Sequence, residues 1–237
     1  WSVSTTDQKQ TLFKKAIKNH LQNLDVAARK DLINFLGTPS YHIFASELVA
    51  LLDDVEPLIV EITIRSLRKM RAIEYSQRIA QNQKSSRADV LLAALEVALA
   101  FSDPISPAHA LKFLEHKDKR VVRTTAAICG TQGIQPSVGA LQNLLATYEH
   151  EFEVTQTYPS PIQESESANQ LKDAIETIHL ALFMLGVEPR YVFGGLNYSL
   201  GEGMALYVVI NAVLSFGNAG NPFNSSDLPY PFSMDGN

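Results

Sequence analysis

Pairs of helix-length apolar stripes, joined by short turns that carry Asp or Pro, recur roughly every 32 residues along the first two thirds of this sequence. The segment Leu51-Leu52-Asp53-Asp54-Val55-Glu56-Pro57 is answered about 64 residues later by Phe113-Leu114-Glu115-His116-Lys117-Asp118. Between them, Arg87-Ala88-Asp89-Val90-Leu91-Leu92-Ala93-Ala94-Leu95 carries another copy of the second-helix pattern. A unit of this size presents one apolar face, so it completes a core only by stacking on its neighbours. That requirement restricts the chain to an array of helix pairs.

The stripes themselves follow helical spacing. Leu12, Ala16, Ile17 and His20 fall on one face, and Ala28, Leu32, Phe35 and Leu36 on the next. Gly37-Thr38-Pro39 stops the second helix, with Gly37 expected in the left-handed terminal turn. Phe44, Leu48, Leu51 and Leu52 form a third stripe, and Pro57 opens a helix continued by Ile59, Ile62, Leu67 and Met70. Further helices are predicted at roughly 88–101, 107–116, 120–130, 136–148, 167–185 and 203–216. No period-2 strand pattern stands out, so the fold class is all-α.

The run Leu114 to Gly130 contains Asp118 in a turn, Val122-Arg123 in the following helix, then Ala126, Ala127 and Gly130. It resembles the core of a HEAT repeat: a Leu, a turn Asp, a Val-Arg pair, small residues and a glycine. Asp118 can cap the second helix, the alanines permit close helix approach, and Gly130 is read as ending the helix. Asp54 and Pro57 hold the equivalent places in an earlier copy, where Ile59-Val60 replaces Val-Arg. The resemblance implies a right-handed α-α superhelix of about five to six pairs over residues 1–217. It further implies an array interrupted by an acidic loop at about 149–167 and followed by an irregular Pro, Asn and aromatic tail over 218–237.

Composition narrows the function classes. One cysteine among 237 residues excludes a disulfide framework and a Cys-based zinc site. The most apolar stretch, Met204 to Phe216, is shorter than the ~20 residues a membrane-spanning helix needs. The start at Trp1 reads as a processed or excised product, and the compartment as cytoplasmic. The net charge of −5 divides unevenly: residues 1–148 carry 18 basic and 14 acidic side chains, and 149–237 carry 2 and 11. Charge blocks of this kind are solvated faces or docking surfaces.

Catalytic motifs are sparse. The six histidines form no His-Glu-x-x-His pair. His150-Glu151 resembles the dipeptides that surround the metal in the HEAT-repeat deoxyhypusine hydroxylases, but a single copy cannot assemble that site. Cys129 sits where a small buried hydrophobe is expected. Gly194-Gly195 and Gly201-Glu202-Gly203 are read as a turn and cap between two helices. No cofactor or metal is expected. The HEAT-like alkylpurine DNA glycosylases supply a nucleic-acid alternative, although the single Trp lies at the terminus and the net charge is negative. Phycobilin lyases and the soluble regulatory regions of membrane-associated proteins share the same repeat type.

The expected function is that of a non-enzymatic scaffold binding another protein or peptide. In the HEAT family the second helices line the concave side, which implies a contact strip of Arg65, Arg68, Lys69, Arg87, Arg120 and Arg123. Arg123 also suits a structural bond to an acid of a neighbouring turn.

Overall fold

A computed structural model describes residues 6–157, 164–187, 190–193 and 196–199. It divides into two compact units, Trp1–Glu188 and Pro189–Asn237.

All described elements of the first unit are helical. They fall into five pairs: α1 (Thr6–Asn23) with α2 (Val26–Leu36), α3 (Ala45–Val49) with α4 (Pro57–Lys69), α5 (Ser76–Ala80) with α6 (Ala88–Phe101), α7 (Pro107–Leu114) with α8 (Lys119–Thr131), and α9 (Val138–Thr157) with α10 (Glu164–Met184). Short 3-10 turns flank α3 and α5 and precede α9. The second helices pack in one row, α2 on α4, α4 on α6, α6 on α8 and α8 on α10, while α1 meets α3 and α7 meets α9 on the other side.

The helix ends explain the period. The residues capping α2, α4, α6 and α8 are Asp25, Glu56, Arg87 and Asp118, so each second helix starts 31 residues after the one before, the same step that separates Arg65 from Glu96 and Asp89 from Arg120. Asp118 accepts from the Arg120 N–H at 2.9 Å and Asp25 from the Ala28 N–H at 2.8 Å, filling donors a helix start leaves open. Pro57 takes the first turn of α4, as expected. Asp54 is not a cap. It accepts from Arg29 and from the Glu56 N–H, bracing the turn ahead of α4.

The C-terminal ends repeat as well. Arg71, Ser102, Gly133 and Gly186 have φ of 55°, 57°, 65° and 83°. The next N–H in each case reaches back to close the helix: Ala72 to Leu67, Asp103 to Ala98, Ile134 to Cys129 and Val187 to Leu182, at 2.9–3.0 Å. Gly37 departs from expectation, with φ −71°. Its missing side chain serves packing instead, since a Cβ there would lie 2.3 Å from Ser66 Oγ on α4. Gly130 departs likewise: it lies inside α8, where a Cβ would lie 2.8 Å from Ala181 Cα on α10. Both glycines let one second helix approach the next.

Helix α6 is the shared wall. Val90, Ala93, Ala94 and Val97 join the core built with α1–α4, whereas Leu91, Leu92, Leu95 and Ala98 join the core built with α7–α10. A helix that is apolar all round is one buried on all sides. Val122, Ala126 and Cys129 are buried on α8.

Two expectations are corrected. The acidic stretch expected as a loop at 149–167 is helical in its described parts: α9 runs through Thr157 and α10 begins at Glu164, and 158–163 lie outside the described residues. Pro159 and Pro161 marked a break, but Glu, Gln and Thr on either side continue the helices. Gly186 consequently follows Gly133 by 53 residues, so the last pair is longer than the others. In the second unit, β1 (Arg190–Phe193) and β2 (Leu196–Ser199) pair antiparallel, with Phe193 opposite Leu196. Positions 194–195 therefore join two strands rather than two helices, because alternation over four residues is too short to register as a strand pattern. The helix expected at 203–216 and the tail at 218–237 lie outside the described residues.

Candidate functional site

The row of second helices carries most of the charged residues singled out in the sequence, but in a different electrostatic state from that expected. On α4, Arg65 donates from Nε to Glu61 at 2.9 Å and from Nη1 to Glu96 of α6 at 2.8 Å. Arg68 meets the same Glu96 carboxylate at 3.2 Å. On α8, Arg120 is shared between Asp118 and Asp89 of α6, and Arg123 donates to Asp173 of α10 at 3.0 Å. Carboxylates thus link α4 to α6, α6 to α8 and α8 to α10. The 31-residue period brings Arg65 beside Glu96 and Asp89 beside Arg120, because equivalent positions of successive helices lie side by side.

The strip of residues expected to be basic is therefore a mixed-charge ladder and not a bare basic stripe. Lys69 and Arg87 are exposed and have no ion pair among the described residues; they mark the end of α4 and the start of α6. The carboxylates were recognisable as i, i+31 partners only once the period was known to the residue. Arg123 does not bond to a turn acid, since Asp173 lies within α10. That role falls to Arg29 and Arg78, which pair with Asp54 and Asp53 of one turn.

Hydrogen bonds from Arg120 hold the Asp118 carboxyl below its usual range, overcoming the opposing effect of burial, and the Arg120 guanidinium is raised in return. Cys129 is fully buried, and burial pushes its thiol up. His179 on α10 is buried and meets Glu149 of α9 at 3.2 Å. Burial lowers its pKa, against the pull of Glu149 and Glu176. Among the described residues no group of three or more His, Cys, Asp or Glu side chains could share a metal.

Two clefts among the described residues contain no ladder residue. One, of about 380 Å³, lies between the turns after α6 and α8 and is lined by Ser102, Pro104, Pro107, Gln132, Gln135 and Pro136, among others, without a titratable side chain. Gln132 braces it, accepting from the Ile105 N–H at 2.9 Å and donating to the Asp103 carbonyl at 2.6 Å. The sequence gives no hint of that brace, since a glutamine in a turn has no distinguishing pattern. The other cleft, of about 350 Å³, holds Lys18, Arg29, Glu47, Asp53 and Asp54. Arg29 and Asp54 are paired within it, Asp53 with Arg78, and Glu47 with Lys14 at 4.0 Å. Neither cleft presents a nucleophile next to a base. No described helix is long and apolar enough to cross a membrane.

No protein-family model matches the chain, and no curated protein matches it in sequence.

Proposed function

We propose that the stacked pairs form a HEAT-like, right-handed α-solenoid whose second-helix face binds another protein without catalysing a reaction. The observation that carries this reading is the ladder of arginine–carboxylate pairs across α4, α6, α8 and α10. Each pair fixes the spacing of adjacent helices while leaving charge of both signs at a part-exposed surface. Such a surface recognises a partner by complementary charge at several points, which confers specificity more than raw affinity. A phosphate backbone would have to displace a carboxylate from four of the six strip residues, Arg65, Arg68, Arg120 and Arg123, so the ladder favours a protein over a nucleic acid. The lone buried cysteine is in keeping with a reducing compartment, and the cytoplasm is the location we assign.

A charge-swapped variant tests the reading: Arg123→Asp combined with Asp173→Arg keeps an ion pair at the same place with its polarity reversed. The expected result is a protein with nearly unchanged thermal stability that no longer captures the partner retained by the parent chain. Retention of the partner, or binding to duplex DNA or RNA that weakens steeply with salt, would refute it.

A further inference from the structure

The cleft of about 380 Å³ between the turns after α6 and α8 has the size of a socket for one ring system. Ligand-binding cavities run from roughly 300 to 1,000 Å³, and this one stands at the small end. Ile105 and Ile134, each 6% exposed, give it an apolar lining, and Pro104, Pro107 and Pro136 add rings from both turns. Proline has a fixed φ and no N–H, so these walls present stiff aliphatic faces. Gln132 ties the two turns together through both ends of its amide, to the Ile105 N–H and the Asp103 carbonyl. Gln135 donates in turn to the Leu185 carbonyl at 3.2 Å. The shape is thus held before anything enters, which lowers the ordering cost of binding.

The chemistry of the lining narrows the occupant. No charged side chain lines the cleft, so an ammonium, guanidinium or carboxylate would lose water there without gaining a counter-ion. Tyrosine and tryptophan bring the most contact area for two rotatable bonds, with a polar tip that needs one partner. Ser102 is that partner. Among the described residues Arg71 and Ser102 are the non-glycine residues with positive φ, whereas glycine holds the same place after α8 and α10. Glycine would relieve the strain at 102, yet the cleft keeps a serine whose hydroxyl has no hydrogen-bond partner among the described residues. Strained residues of this kind cluster where ligands are clamped.

We propose that this cleft receives a tyrosine or tryptophan side chain of a protein partner, its ring against the prolines and its O–H or N–H donated to Ser102 Oγ. One ring alone binds weakly, so it serves as an anchor within a larger contact, the usual place of these residues in interfaces. The cleft contains no ladder residue, and the assignment does not depend on the second-helix face.

Titration of the isotope-labelled full chain by NMR tests this, using the capped peptide Gly-Ser-Tyr-Ser-Gly and its Phe and Arg counterparts. The Tyr peptide should shift the amide signals of Ser102, Gln132, Gly133 and Ile134 saturably, with Kd on the order of 1 mM. The Phe peptide should bind roughly three- to tenfold more weakly, the value of one neutral hydrogen bond, and the Arg peptide should not bind. In Ser102→Gly the Tyr peptide should fall to the level of the Phe peptide although the fold itself gains stability, which separates lost recognition from unfolding. Pro104→Ala with Pro136→Ala should weaken both aromatic peptides alike. Absence of shifts at these turns up to the solubility limit overturns the proposal. So does an Arg peptide that binds as well as the Tyr peptide, or a preference for Tyr over Phe that survives in Ser102→Gly.

Discussion

Two glycines inside helices should respond to the same substitution with opposite sign. Gly130 lies in α8 and Gly139 in α9. Replacing glycine by alanine within a helix normally stabilises by roughly 0.5–1 kcal/mol, because the unfolded chain loses freedom. At Gly139 nothing lies within 4 Å of the added Cβ, so that gain should appear, reduced somewhat by its place in the first turn. At Gly130 the new carbon would stand 2.8 Å from Ala181 Cα, 3.2 Å from Ala181 Cβ and 3.3 Å from Met184 Sδ. Met184 can swing away, but a backbone Cα in α10 cannot move without prising the helices apart. Overpacking of this kind costs about 1–3 kcal/mol, which outweighs the helix gain. Gly130→Ala should therefore be less stable than Gly139→Ala by about 1–3 kcal/mol, read from urea midpoints at constant slope. Equal stabilisation by both substitutions would mean that α8 and α10 do not touch at Gly130, and the row of second helices would fail at its most crowded contact.

Three further outcomes follow from other details. Thr63 is fully buried in α4 with no partner for its hydroxyl among the described residues, so Thr63→Val should stabilise by roughly 1 kcal/mol by removing an unsatisfied group at nearly constant shape; a loss of stability would refute this. Ser102 holds φ 57° at the end of α6, and Ser102→Gly should raise the denaturation midpoint by the equivalent of about 0.5–1 kcal/mol, whereas Ser102→Val should lower it. For His179, burial depresses the folded-state pKa, so the unfolded chain takes up a proton first as pH falls below its ordinary ~6.5. Its contribution is intact above that pH and declines through the window beneath it. His179→Gln should flatten the melting temperature between neutral pH and pH 5, and an unchanged slope would remove His179 as the cause.

How much of this could be read from the chain depended on what the pattern encodes. Helices α6 and α8 were legible almost to the residue, because the alanine- and leucine-rich run between Arg87 and Ser102, and the run with Val121, Val122, Ala126 and Ile128 between Asp118 and Gln132, each have both periodicity and ends written locally. The exposure of Leu12 and Phe35 was not legible, since an apolar stripe specifies a sticky face without specifying what covers it. Glycine was misread for a related reason. Gly37 does end α2, but without the left-handed turn, and Gly130 does not end α8; what both positions require is set by Ser66 and Ala181 in the next second helix, and no local signal reports a neighbour that distant in sequence. The arginines were found but their neutralisation was missed: Glu96 lies 31 residues beyond Arg65, and an approximate period hides that coincidence. At 149–167, two prolines outweighed a sequence that otherwise favours helix.

Side-chain labelling of lysine and arginine in the free and partner-bound protein tests the central claim most directly. Arg68, Lys69, Arg87 and Arg123, all on the second-helix row, should lose reactivity when the partner binds, while Lys112 and Lys117, on and just beyond α7 in the opposite row, keep theirs. Protection of Lys112 and Lys117 with the four second-helix residues unchanged would place the partner on the other side of the array and contradict the account.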